Sequence, residues 1–286
     1  MKITFNNITI IGVGLMGGSF ALALKAKGFK GKITGAGRNR KNLIKAKRLG
    51  IIDDYTTEYA DSVRDADLVL FAVPVGRVET IVKSIRKDIK KGAIVTDVGS
   101  VKAQIVRKIG PLMPDKVGFV GAHPIAGREC SGIDCATADL YQNARCIITP
   151  ATDTNKPALK KVIGLWKSLG AKPVLMDPVE HDLIFGAVSH LPHVVAYALV
   201  NSIMKVDSGI IRHGGRGLRD MTRIALSPPE LWRDICAYNR QNLLRTMKKF
   251  SSSVSHLTGL IERSDWAALE KEFRKAKEAR QLLESD

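Results

Sequence analysis

Histidine is the side chain best suited to move a proton near neutral pH, because its unperturbed pKa lies at about 6.5. His123 is placed for that work: it follows the apolar run from Val117 to Val120 and sits within the turn-prone stretch Gly121-Ala122-His123-Pro124-Ile125-Ala126-Gly127. At the carboxyl end of a strand in an α/β fold, such a residue faces the ligand crevice and can act as a general base. The alternative is a turn histidine whose hydrogen bonds are satisfied locally.

A second chemistry-bearing stretch is Gly12-Val13-Gly14-Leu15-Met16-Gly17, between the β-branched run Ile8 to Ile11 and the apolar Ser19 to Leu24. In this strand, turn and helix context, Gly12 permits the bend, Gly14 lets backbone approach a pyrophosphate and Gly17 lets helix pack on strand. The helix start, at Leu15 and Met16, offers N–H groups and a positive dipole to the phosphates. A dinucleotide cofactor is therefore expected. Twenty residues after Gly17, where an acid would bind the ribose hydroxyls of NAD, the sequence has Gly37, followed by Arg38-Asn39-Arg40. A missing carboxylate beside guanidinium groups favours NADP over NAD. The alternative is that these arginines merely start the next helix.

These groups need elements to hold them. Lys32 to Ala36 reads as a strand, Ala66 to Val73 as a buried strand ending at Pro74, Arg77 to Lys90 as an amphipathic helix, and Ala93 to Val98 as a strand ending in Gly99-Ser100. Such alternation implies a doubly wound, mainly parallel sheet with its ligand over the strands' carboxyl ends, where Val73, Pro74, Ser100 and His123 all fall. Val73 and Pro74 are expected beside the cofactor. Ala144 to Thr149, a helix from Asn155 to Leu169, and Pro173 to Met176 complete an α/β Rossmann-type N-terminal domain over residues 1–176, with Met176-Asp177-Pro178 as its boundary.

Residues 177–286 read as an all-α domain. Leu183 to Met204 contains no Asp, Glu, Lys or Arg and is long enough to span a bilayer, yet it carries His190, Pro192, His193 and Asn201. A buried helix, not a membrane span, is expected, and its histidines are expected to line a pocket. Pro192 interrupts the spacing of the two histidines and no third ligand accompanies them, so no metal site is assigned. Ser227-Pro228-Pro229-Glu230 resembles a capping box opening a long helix towards Arg263, and Ser264-Asp265 starts a last one. The stripe Leu243, Leu244, Met247, Phe250, Val254, Leu257, Leu260 and Ile261 is hard to cover within about a hundred residues, which predicts homodimerisation through these C-terminal helices.

Composition narrows the class. The 286 residues, 45% of them hydrophobic, suit about two globular domains. The N-terminus runs straight into a strand pattern, so a cytoplasmic location is expected. Cys130, Cys135, Cys146 and Cys236 lack paired spacing and read as free thiols. The net charge of +17 is scattered over helix faces without interleaved aromatics, which predicts a solvated basic surface and no nucleic-acid partner.

Five stretches now align with one family. Gly12 to Ser19, Thr96-Asp97-Val98-Gly99-Ser100-Val101-Lys102, His123 to Gly127, Ser189-His190-Leu191-Pro192-His193, and Arg219 to Ala225 resemble, in order and spacing, those of prephenate/arogenate dehydrogenases. The resemblance implies a nucleotide-binding domain, a helical dimerisation domain, and NAD(P)-dependent oxidative decarboxylation of prephenate to 4-hydroxyphenylpyruvate in tyrosine biosynthesis, or of arogenate to tyrosine. It further implies His123 as the base and Ser100 as the group that hydrogen-bonds both the ring hydroxyl and His123. His193 would hold the substrate side chain and Arg223 the ring carboxylate, while Glu129, Arg219, Asp220 and Trp232 would surround the pocket mouth. Arg128 departs from the smaller residue common in relatives, and its charge is expected to favour dianionic prephenate over zwitterionic arogenate. Two other readings compete: a reductase of β-hydroxyacid type, which would use a lysine where this chain has His190 and His193, and a non-catalytic NADP-binding module.

Overall fold

The computed structural model describes residues 4–128 and 130–284; Glu129, expected at the pocket mouth, lies outside them. The first part of the chain alternates β1 (Asn7–Ile11), α1 (Leu15–Ala26), β2 (Lys32–Ala36), α2 (Arg40–Arg48), β3 (Asp54–Thr56), α3 (Tyr59–Val63), β4 (Leu68–Phe71), α4 (Val75–Ile85), β5 (Ile94–Asp97) and α5 (Ala103–Ile109). Then follow β6 (Gly118–Pro124), β7 (Arg145–Thr149), α6 (Lys156–Ser168) and β8 (Lys172–Leu175). The strands form one sheet in the order β3-β2-β1-β4-β5-β6-β7-β8, antiparallel only between β6 and β7. The chain winds outward from β1 to β3 and then restarts at β4 on the other side of β1, so the crevice between β1 and β4 is a topological switch point.

Buried on both faces, the central strands alternate between two cores. In β4, Leu68 and Leu70 join Phe20, Leu24 and Trp166 on one face, whereas Val69 and Phe71 join Val82, Ile85 and Ile105 on the other. The second core also takes in Trp232 and Ile235, so the helices that follow the sheet extend the same hydrophobic interior. Accordingly the chain up to Arg240 is one compact unit, and Gln241 onward is a second. The boundary expected at residue 176 lies inside the first unit.

The helical part comprises α7 (Pro178–Phe185), α8 (Leu191–Val206), α9 (Arg216–Thr222), α10 (Pro229–Tyr238), α11 (Arg240–Glu262) and α12 (Trp266–Gln281). Three expectations need correction. The charge-free stretch is not one buried helix: a π turn at Gly186–His190 separates α7 from α8, and Ala196 alone is buried within α8. From Pro178 to Val206 the helical run is apolar and long enough to cross a membrane by length and composition, with only 17% of its apolar window buried. Most of that apolar window is left open by the described residues. Nor does one long helix run from Ser227 to Arg263. Pro228 caps α10 without a side-chain bond, Ser227 O instead accepts from the Tyr197 hydroxyl, and the helix breaks at Asn239, whose amide is drawn into tertiary hydrogen bonds. Cys130 and Cys135 are not free thiols but form a disulfide, because the short 3-10 turn Ile133–Cys135 brings their Cα atoms to 6.1 Å; Cys146 and Cys236 are free.

Candidate active site

The glycine turn is built as its residue types require. Gly12 has φ +101°, in the left-handed region, and donates its N–H to Ala36 O at 2.8 Å; a side chain there would strike Ala72 O. A side chain at Gly17 would strike Gly12 O, so this glycine allows α1 to lie close on β1. A Cβ on Gly14, by contrast, would meet nothing within 4 Å, and Gly14 is the N-cap residue of α1. The open helix start faces a cavity of about 640 Å³.

Four strand ends meet at that cavity: Gly14, Leu15 and Met16 after β1, Val73 and Pro74 after β4, Ser100 after β5, and His123 on β6. Arg128 lies on the loop side, and His193 and Trp232 close the helical side with their rings stacked at 3.5 Å and 19°. His193 Nδ1–H donates to Ser189 O at 3.0 Å, which leaves Nε2 for a ligand. The lining is mainly apolar with a few convergent polar groups, as small-molecule sites are.

Other expected residues lie elsewhere. Arg38 and Arg40 are exposed at the end of β2, and Asn39 caps α2 by accepting from Asn42 N at 3.1 Å; none of the three borders the cavity. Arg219, Asp220 and Arg223 are likewise exposed and outside the lining: the first two lie on α9 and Arg223 on the 3-10 turn that follows it, both of which pack along α8.

His123 is buried and its surroundings keep it neutral. Burial first, then the nearby His181, Lys102 and His190, hold its imidazole well below the ordinary range. Among the described residues no hydrogen bond joins it to Ser100. Its Nδ1 instead lies 2.8 Å from His181 Nε2, and His181 Nδ1 lies 2.8 Å from Asp182 Oδ1. Asp182 also accepts the N–H groups of Lys102 and Ala103 at 2.7 and 2.9 Å, which ties α7 to the start of α5.

Beneath the site, the buried Lys102 Nζ pairs with Asp97 Oδ2 and donates to Ala122 O at 3.0 Å. Asp97 accepts in turn from Ala122 N at 3.1 Å and Gly99 N at 2.9 Å. This ion pair therefore fixes the backbone on either side of Ser100 and immediately before His123. His190, which burial pushes down to about 4, lies with Nε2 3.3 Å from Ser100 O and accepts at Nδ1 from Asn239. The Ser100 carbonyl is thus held by a histidine, while Ser100 borders the cavity.

Sequence reasoning missed His181, Asp182 and Asn239. A His-Asp pair on a helix opened by Asp177-Pro178 was the available signal for the first two; Asn239 carried none.

Known proteins resemble the chain along both parts of its length. A family model described as "Prephenate dehydrogenase, nucleotide-binding domain" matches residues 20–175, and one described as "Prephenate dehydrogenase, dimerization domain" matches residues 177–275. The chain is 33% identical to a prephenate dehydrogenase of Bacillus subtilis, covering 97% of this chain and 76% of that protein. It is also 33% identical to a cyclohexadienyl dehydrogenase of Zymomonas mobilis, over 99% of this chain and 97% of the relative. A crystal structure of prephenate dehydrogenase from A. aeolicus, in complex with hydroxyphenyl propionate and NAD+, has a TM-score of 0.92 and 38% identity over 99% of this chain and 100% of its own. Matched along both parts of its length and in its fold, the chain belongs to the prephenate dehydrogenase family.

Proposed function

We propose that the chain catalyses the NAD(P)-dependent oxidative decarboxylation of prephenate to 4-hydroxyphenylpyruvate. The observation that carries this reading is the shared cavity: a helix start open for a pyrophosphate and a buried neutral histidine border the same space. Gly14, Leu15, Met16, Val73 and Pro74 would hold the dinucleotide, which when bound supplies the hydride acceptor. His123 takes the proton of the ring hydroxyl as hydride leaves the carbon that bears it. The ring carboxylate departs as carbon dioxide, and its bonding electrons complete the aromatic ring. Ser100 orients the hydroxyl and His193 the substrate side chain, with Trp232 holding the His193 ring. By resemblance to the family, Arg223 would recognise the ring carboxylate, with Arg219, Asp220 and Glu129 about the mouth, although Arg219, Asp220 and Arg223 stand exposed outside the cavity lining in this structure.

NADP is the favoured cofactor, since Gly37 leaves no acid at the ribose and Arg38 and Arg40 are exposed beside it. Arogenate is a second reading, because Glu230 lines the cavity and its carboxylate suits an ammonium group, whereas Arg128 suits the prephenate dianion. In this reading residues 1–176 bind the cofactor and 177–286 contact substrate and form a cytoplasmic homodimer, with the basic surface solvated, free of nucleic acid and membrane. Assays pairing NAD and NADP with prephenate and arogenate test it. Turnover of prephenate, faster with NADP, is expected; absence of prephenate turnover with either cofactor would overturn the reading.

A further inference from the structure

Which nitrogen of His123 carries the proton decides whether it can act as a base, and the hydrogen bonds around it leave one consistent answer. Asp182 accepts N–H groups from Lys102 and Ala103, and a carboxylate can only accept. Its contact with His181 Nδ1 therefore requires a proton on that nitrogen. Neutral His181 then has a lone pair at Nε2, which accepts from His123 Nδ1 at 2.8 Å. With Nδ1 protonated, neutral His123 has its lone pair on Nε2. The opposite arrangement would set a His181 lone pair against the Asp182 carboxylate, and burial opposes a doubly protonated His181.

We propose that Asp182, acting through His181, selects the His123 tautomer whose Nε2 accepts the substrate proton, so that both are positioning residues for that transfer. The inference rests on His123 being the base in the proposed reaction. A carboxylate that orients a catalytic imidazole is known chemistry, and loss of the correct tautomer in such a triad costs about ten-thousandfold in rate. Here a second imidazole stands between the two, and it lets a carboxylate anchored on α5 act on a histidine of β6. The rings are also held by packing: Phe185 lies 5.0 Å from His123 and 4.5 Å from His181, centre to centre.

Two substitutions and a spectroscopic measurement test the proposal. His181→Phe removes the acceptor while keeping an aromatic ring, and His181→Gln can present its side-chain carbonyl where Nε2 stood. In His181→Phe, kcat should fall about a hundredfold or more while KM for the cofactor stays unchanged and the protein remains folded at the assay temperature. His181→Gln should recover most of that loss, which a packing role alone would not produce. The pH profile should also shift, since His123 is faced by Lys102 and His190 as well as by His181. Nitrogen NMR of [15N]histidine-labelled protein, its six histidines assigned by substitution, reports the tautomer without substrate. The wild type should show a protonated Nδ1 on His123, and His181→Phe a mixture.

A wild-type His123 protonated at Nε2, or an unchanged kcat in His181→Phe, would overturn the proposal. Because the NMR result needs no turnover, it separates failure of this relay from failure of the functional reading.

Discussion

His123 is neutral because it is buried among other potential cations, and in the proposed reaction that sets the pH behaviour. A base with a depressed pKa stays competent as pH falls through the ordinary imidazole range, so kcat/KM should hold its plateau below about pH 6.5 before dropping. A drop beginning above that pH would contradict the assignment. At the cavity rim, Arg128→Thr removes a cation and should lower the preference for prephenate over arogenate; steady-state kinetics with both substrates reads the ratio, and an unchanged ratio would remove Arg128 from specificity. The candidate base was legible in the sequence because a histidine between an apolar run and a glycine-rich turn marks a strand end. Its partner was not, since His181 is 58 residues away and the packing of α7 against α5 and β7 brings it near.

At the scale of elements, the strands were readable because a parallel sheet covered on both faces needs continuous apolar runs, as in Leu68 to Phe71. The break at Asn239 was not readable, since that residue is compatible with a helix and is pulled out of it by Asp182 O and His190, both distant in sequence. The elements are locked together by buried polar contacts, among them the Asp97–Lys102 pair, at 2% and 0% side-chain exposure. Removing one partner leaves the other charge buried. Lys102→Met should therefore destabilise the fold by about 3–5 kcal/mol in chemical denaturation, and a loss too small to measure would contradict the structural role given to the pair. The histidines act in the same direction on acidification. His190 is held near 4 in the folded protein against about 6.5 when unfolded, so the unfolded chain binds more protons between these values. Its contribution to stability is complete above pH 6.5 and is lost as pH falls towards 4, which a series of melting temperatures across that window would follow.

For the whole molecule, the apolar faces left open by one chain carry the largest consequence. Val188 is 66% and Val206 78% exposed, and in the second unit Phe250 and Val254 are 40% and 46% exposed. A charge-free segment looks the same in sequence whether its own chain or a second copy covers it, so the expectation of burial for α8 failed while the unpartnered stripe of α11 was visible. Both faces fit a homodimer. Sedimentation should give twice the 31.2 kDa chain mass for the wild type and a shift towards the monomer for Phe250→Asp; a dimer undisturbed by that charge would place the interface elsewhere. The proposed activity is assigned to a smaller part of the molecule, the cavity shared by the glycine turn and His123. The most direct measurement compares wild type with His123→Asn, following reduced-cofactor formation from prephenate alongside dinucleotide binding. Turnover should fall by about a hundredfold or more while the dissociation constant for the dinucleotide stays unchanged, whereas retention of most of the wild-type rate would contradict His123 as the base.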